Sequence, residues 1–448
     1  VANTTALQIE AVLVGARDRE IFRLAVPALG ALTAEPLYVL VDTAIVGHLG
    51  THPLGGLAIA GTVLTSVFGV FNFLAYGTTA AVARRIGAGE HKAAAEQGIA
   101  GLWLALGLGI ALTTAGLLAA PAIVDAMGAS DAVRPYALDY LRISLIGAPM
   151  VTLMLAGVGY LRGTQDGRTP LIIAVGANIV NLALELLFVY SFDWGIAGSA
   201  WGTVIAQTMS AIAFLALINR SRRATHASAR PDRVEILRIA RVGSHLVIRT
   251  GSLLAAFTIT TALASRISDT AIAAHQVAFQ IWYFLALALD AIAIAGQSIV
   301  GKYLGADDES GARAVTRRML QLGIYAGVLA GILVVIAREP LAAIFSDDQG
   351  VQRAVESVLP IVALWQPVGA IVFVLDGVLI GAGETRYLAG AMVAATLAFL
   401  PAALAVAITD SGLNALWLAL GVFLIARVIG MGARYRTDRW LVTGATRS

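Results

Sequence analysis

"GYLRGTQDGR" at 159–168 and "GVLIGAGETR" at 377–386 decide the architecture, because each position of the second lies 218 residues after its counterpart in the first. Gly159, Leu161, Gly163 and Arg168 recur as Gly377, Leu379, Gly381 and Arg386, while Asp166 becomes Glu384. The same offset relates "VARRIGAGE" at 82–90 to "VGKYLGADD" at 300–308 through Val82, Gly87 and Ala88, and it relates Pro149 to Pro367. A single offset that holds across separate loops marks an internal duplication.

The duplicated unit is apolar. Of 448 residues 58% are hydrophobic and 13% charged, with a mean hydropathy of +0.81, whereas soluble domains carry about 25% charged residues. Apolar runs recur throughout, and each of about 20 residues is long enough to cross ~30 Å of hydrocarbon as a helix. Their limits predict helices near 21–47, 54–83, 97–124, 136–161, 170–192 and 196–219, then 242–265, 272–301, 319–344, 354–380, 387–409 and 413–433. The expected fold is an all-α membrane protein with twelve transmembrane helices in two six-helix lobes. Because each unit has an even number of helices, both copies cross in the same sense, so a pseudo-two-fold axis along the membrane normal is expected. Transporters with such parallel repeats place their site between the halves. The expected divisions are a cytoplasmic segment at 1–20, an N-lobe at 21–219, a cytoplasmic linker at 220–237, a C-lobe at 238–433 and a cytoplasmic tail at 434–448.

Charge sets the orientation and excludes other classes. The first 20 residues lack the basic start, short apolar core and cleavage site of a signal peptide, which predicts a cytoplasmic N-terminus. With both termini inside, 24 of the 31 basic residues fall in cytoplasmic segments, the bias that retention of Lys and Arg on that side produces. The net charge is only +3 and the basic residues are spread among short loops, which argues against nucleic acid. Cysteine is absent, so thiolate chemistry and disulfides are excluded. The "GAGE" turns at 87 and 381 lack the Lys-Ser/Thr of a phosphate loop. No metal-ligand cluster or nucleophile–base set is visible, so an enzyme is not expected.

Acids inside the membrane are costly and are functional candidates by default. Four stand out: Asp42, Glu185, Asp290 and Asp376. Glu35, Tyr38 and Asp42 stand at i, i+3 and i+7 on helix 1, and Asn178, Asn181 and Glu185 repeat that spacing on helix 5, so each trio shares a helix face. Pro36 removes a backbone hydrogen bond just before Asp42 and favours a kink there. Helix 8 carries Gln276, Gln280, Tyr283, Asp290 and Gln297 along one stripe. The repeat counterparts of Asp42, Glu185, Asp290 and Asp376 are Thr260, Ala403, Asn72 and Val158, so the acids are not part of the duplicated scaffold. Simpler readings serve elsewhere: His48, His52 and His275 are expected as solvated or interfacial residues near external helix ends, and Asp139 is expected to pair with Arg142 three residues on in helix 4.

These features together resemble the multidrug and toxic compound extrusion family, in its DNA-damage-inducible-protein-F-like branch. The resemblance covers nearly the whole chain and rests on "VDTAIVGHLG" at 41–50, "GYLRGTQDGRTP" at 159–170, "NIVNLALELLF" at 178–188, "GIAGSAWGTVIAQ" at 195–207 and "LDAIAIAGQSIVG" at 289–301. It implies a V-shaped pair of lobes that open alternately inward and outward and export amphipathic, often cationic, compounds. It also implies cation coupling in the N-lobe through Asp42, Asn181, Glu185 and Thr203. Protons are the expected ion and sodium, at Asp42, Asn181 and Glu185, the alternative. Glu185 stands where many members have aspartate, and Val158 or Gly159 where some have asparagine. The substrate cavity is expected to draw on Glu35, Tyr38, Asn178, Gln280, Tyr283 and Asp290, with Asp376 at a possible second site that lacks a helix 7 acid. The expectation is thus a secondary active multidrug exporter, monomeric, without cofactor, in the inner (plasma) membrane with both termini cytoplasmic, its partners being small organic substrates and the bilayer. The rival readings are a lipid-linked oligosaccharide flippase, which calls for several cavity cations, and a lipid-modifying membrane enzyme.

Overall fold

The computed structural model describes residues 2–446, with side chains from residue 15 onward. Twelve spans result. They are α1 (Gly15–Gly47), α2 (Thr51–Gly87), α3 (His91–Ala126), α4 (the bent pair Arg134–Ile146 and Ala148–Gly163), α5 (Arg168–Ser191) and α6 (Gly195–Ala224), then α7 (Arg233–Ile267), α8 (Asp269–Gly305), α9 (Glu309–Ile336), α10 (Gln349–Gly381), α11 (Thr385–Thr409) and α12 (Gly412–Arg436). A short helix, Arg338–Phe345, follows α9.

The duplication is written into these boundaries. Thr51 and Asp269, Gly87 and Gly305, His91 and Glu309, and Gly163 and Gly381 begin or end matching helices, and each pair is 218 residues apart. The turns match as well: φ is positive at Gly89 and at Asp307, and again at Gln165 and Gly383, a left-handed conformation that glycine adopts freely and other residues only at a cost.

Glycines then dictate how the helices meet. A Cβ on Gly159 would fall 2.6 Å from the Ala75 carbonyl oxygen, and one on its counterpart Gly377 would collide with the Ala293 carbonyl oxygen, the equivalent atom. Gly163 meets Thr79 O as Gly381 meets Gln297 O, and Gly109 meets the Pro149 backbone as Gly327 meets that of Pro367. Without a driving force from water, helices in lipid associate by close backbone approach at small residues, and the two halves use the same ones.

The halves differ in continuity. In the first, α2 is interrupted at Asn72 and α4 bends by 50° at Gly147. In the second, α8 and α10 are unbroken, although α10 contains Pro360 and Pro367. The C-terminal half packs around the aromatics Trp417, Phe399 and Phe423, and a smaller core around Leu141 and Tyr140 serves the N-terminal half.

Two compact units emerge, one of Gly30–Gly243 and the other of the segment ending at Leu29 with the segment from Ser244 onward. The divisions fall inside α1 and α7. In the second unit Asp18 receives two hydrogen bonds from Arg318, at 2.6 and 2.8 Å, and Glu20 receives Lys302 at 2.9 Å and Tyr303 at 3.0 Å. In the first, Glu235 at the start of α7 accepts from Arg85 at 2.8 Å and Arg238 at 2.6 Å. Within the expected 220–237 connector only 225–232 is non-helical, since α6 runs on to Ala224 and α7 starts at Arg233.

Candidate functional site

Helix α6 positions the site against α5. Gly198 and Gly202 are one turn apart and lie against the α5 backbone: a Cβ at Gly198 would sit 2.9 Å from the Phe188 carbonyl carbon, and one at Gly202 would sit 3.3 Å from the Glu185 nitrogen. The residue after each glycine carries a hydroxyl, so Ser199 and Thr203 share the face that this approach brings forward. Immediately beyond Glu185, α5 widens into a π-turn at Leu187–Ser191, a local irregularity often found at functional sites.

Helix α1 supplies the other wall. Asp42 is buried at 4% exposure; its Oδ1 accepts from the Ser199 hydroxyl at 2.5 Å and its Oδ2 from the Tyr140 hydroxyl at 3.2 Å. One turn earlier, Tyr38 and Thr203 are joined hydroxyl to hydroxyl at 2.6 Å. One further turn back, the Asn178 amide donates to the Ala34 carbonyl at 3.0 Å, tying α5 to α1 beside Pro36. The helix continues through that proline.

Glu185 completes the cluster beside Asp42 and Ser199. It is fully buried, and Asn181 nearly so. Among the described residues neither carboxylate oxygen of Glu185 and neither amide atom of Asn181 makes a hydrogen bond of good geometry to a protein group. Two carboxylates sharing a buried pocket also resist being charged together. Two adjacent carboxyl groups are an arrangement that can share a proton or hold a cation among their oxygens.

Of the residues expected from sequence, Tyr38, Asp42, Asn181, Glu185 and Thr203 are therefore brought together, and Asn178 engages helix backbone one turn away. Glu35 is exposed on α1, Gln280 and Tyr283 are exposed on α8, and Asp290 is partly buried there. Two members were missed. Ser199 had a signal, standing one helical turn before Thr203 and likewise following a glycine, whereas Tyr140, on the α4 segment Arg134–Ile146 with Ser144 one turn on, carried no spacing that tied it to Asp42.

Asp376 is committed differently. It is buried on α10 and receives Arg249 of α7, Nε to Oδ1 at 2.9 Å, with a second contact from the guanidinium to Oδ2. Arg427 of α12 is buried nearby, its guanidinium 5.5 Å from the centre of the Phe423 ring, and its Nε meets no acceptor among the described residues. Two simpler expectations are corrected. His275 is not solvated but buried, 3.1 Å from the Thr261 hydroxyl and against Phe279 and Trp417, because the α8 face that carries it turns into the aromatic core. Asp139 and Arg142 are both exposed and no ion pair joins them among the described residues; in that region Arg134 bridges to Asp125 at 2.6 Å instead.

Known proteins place this arrangement. The MatE family profile matches residues 27–187 and 252–405. The chain is 32% identical to Protein DETOXIFICATION 44, chloroplastic, of Arabidopsis thaliana over 95% of its length and 84% of that protein's. It is 29% identical to DNA damage-inducible protein F of Escherichia coli, covering 94% and 92%. A crystal structure of a MATE in the bent conformation superposes with a TM-score of 0.86 at 22% identity, covering 96% of this chain and 97% of that one. An outward-facing conformation of a multidrug resistance MATE family transporter gives 0.85 at 21%, covering 95% and 96%. On its matched halves, its twelve spans and these relatives, the chain belongs to the multidrug and toxic compound extrusion family of membrane transporters, which are not enzymes.

Proposed function

We propose that the protein is a proton-driven antiporter that exports amphipathic, often cationic, organic compounds, with Asp42, Asn181, Glu185 and Thr203 forming its coupling site. One observation carries this reading: two carboxylates are buried side by side, one satisfied by hydroxyls and the other without a hydrogen bond of good geometry to a protein group among the described residues. A proton placed on Glu185 turns an acceptor-only group into a donor beside Asp42, and its departure restores the repulsion. Tyr38 and Asp42 are a turn apart on the Pro36 segment of α1, so a change in the pocket's hydrogen bonds reaches that segment directly. Residues Glu35, Tyr38, Asn178, Gln280, Tyr283 and Asp290 are proposed to contact substrate. The same oxygens suit sodium, the alternative ion. The protein is placed in the plasma membrane as a monomer with both termini cytoplasmic, driven by the ion gradient alone.

Proteoliposomes with proton and sodium gradients imposed separately test it, using a fluorescent organic cation as substrate. Efflux that follows the proton gradient supports the proposal, and efflux that follows only sodium assigns the site to that ion. Efflux indifferent to both gradients would end it.

A further inference from the structure

A groove of about 550 Å³ lies on the first unit between α3 and α6, further along α6 than the coupling residue Thr203 and lined by none of the coupling residues. Its walls are apolar, including Leu102, Leu106, Leu153 and Leu215, and Ile212 is 58% exposed along it. One end is different: Trp103, Asn219 and Arg222 meet there beneath Ala229 of the connector. That end is built, since the Trp103 indole donates to the Ala229 carbonyl at 3.1 Å and Arg222 Nε donates to Asn219 Oδ1 at 2.9 Å. The Asn219 contact fixes the guanidinium through Nε and leaves its terminal nitrogens out of that bond.

Charge at this end is one-sided. Residues 219–233 hold five arginines and one aspartate. The neighbouring acids are engaged: Glu96 accepts from the Ser228 nitrogen, Asp232 from the nitrogens of Val234 and Glu235, and Glu235 pairs with Arg85 and Arg238. Arg222 forms no ion pair with any of them. A long apolar trough ending in an indole and an unneutralised guanidinium has the shape of a lipid: tryptophan settles at the headgroup level, and basic pockets between membrane helices hold anionic headgroups.

We propose that this groove binds one anionic phospholipid, its acyl chain along the α3–α6 walls and its phosphate at Arg222. Neutral phospholipid fits the apolar walls equally well and gains less from the arginine, so preference for net negative charge is the signature. Each basic residue at a membrane surface contributes enough for an about fivefold preference.

Trp103 is 43% exposed at the site and serves as its own reporter. The protein is reconstituted in vesicles containing either brominated phosphatidylglycerol or brominated phosphatidylcholine at equal mole fraction, and fluorescence quenching is compared with that of Trp103→Phe to isolate this tryptophan among the seven. Stronger quenching of Trp103 by the anionic lipid, reduced to parity by Arg222→Gln, is the expected result. Equal quenching by both lipids in the unaltered protein shows an ordinary boundary lipid and overturns the proposal, as does a preference that survives Arg222→Gln. Because the readout is binding, it stands apart from the coupling ion.

Discussion

In the first half of the molecule two buried acids, Asp42 and Glu185, sit together among hydroxyls and an amide; in the second, the buried Asp376 is clasped by the partly buried Arg249, with the buried Arg427 close by. The repeat makes the contrast position by position. Tyr38, Tyr140, Asn181, Ser199 and Thr203 correspond to Ala256, Val358, Phe399, Trp417 and Gly421, four of which are buried hydrophobic core. In the other direction Arg249, Asp376 and Arg427 correspond to Ala31, Val158 and Met209. One ancestral packing plan thus holds a polar pocket in one half and aromatic core at the equivalent place in the other. The chemistry differs accordingly. A carboxylate clasped by a guanidinium is already neutralised and gains little from a proton, whereas two carboxylates with spare lone pairs respond to one.

The largest expected effect separates the two sites by transport. Asp42→Asn fixes the neutral form of that carboxylate, so it should fold and lose gradient-driven efflux in a pH-jump assay. Asp290→Asn and Asp376→Asn should impair export less at matched expression. Loss at Asp376 equal to that at Asp42, in protein of unaltered stability, would move coupling to the second half.

A second experiment treats the arginine pair as structure. Breaking a buried ion pair from one side leaves an uncompensated charge at a cost of about 3–5 kcal/mol, while replacing both partners by apolar residues is often neutral. Arg249→Leu should therefore lower the melting temperature in detergent sharply, and adding Asp376→Leu should recover most of the loss. No recovery in the double variant would mean that Asp376 answers to something other than Arg249.

How much of this was legible beforehand follows from the physics of each feature. Helix number and the repeat were readable because span length and small-residue turns are written locally in the chain. The i, i+3, i+7 spacing showed that Tyr38 shares a helix face with Asp42 and Asn181 with Glu185, but that the two faces meet was implied only by the family resemblance. The Arg249–Asp376 bond was not readable, since the partners are 127 residues apart and Asp376 has only apolar neighbours, Val372, Phe373, Leu379 and Ile380, on its own helix face. Tyr140 and His275 were hidden because the burial and the partner of a polar side chain depend on what the neighbouring helix presents.

The shared scaffold gives a smaller test of the comparison. Gly159→Ala and Gly377→Ala should each destabilise by about 1–3 kcal/mol, the usual cost of overpacking, because each adds a methyl against an equivalent carbonyl oxygen, Ala75 O and Ala293 O. Similar losses in thermal melts would confirm that both halves depend on the same contacts. A large loss in one half alone would show that the duplicated sequence no longer carries duplicated energetics.

The smallest effect concerns the two hydroxyls that hold Asp42. The Ser199 bond is 2.5 Å and the Tyr140 bond 3.2 Å, and shorter, charge-assisted bonds are the stronger ones. Removing either donor should cost about 0.5–1.5 kcal/mol, with Ser199→Ala at the upper end and Tyr140→Phe at the lower. Phenylalanine keeps the ring within the buried cluster that also holds Leu57, Leu141 and Ala200, so Tyr140→Phe isolates the hydroxyl. Melting temperature orders the two losses, and proton-driven efflux decides whether the donors matter beyond stability. If both variants kept wild-type transport, the hydroxyls would be holding Asp42 in place without taking part in its exchange of protons. A transport loss at Tyr140→Phe greater than at Ser199→Ala would reverse the order of importance that the distances give, and would make the tyrosine, not the serine, the group through which Asp42 senses the rest of its half.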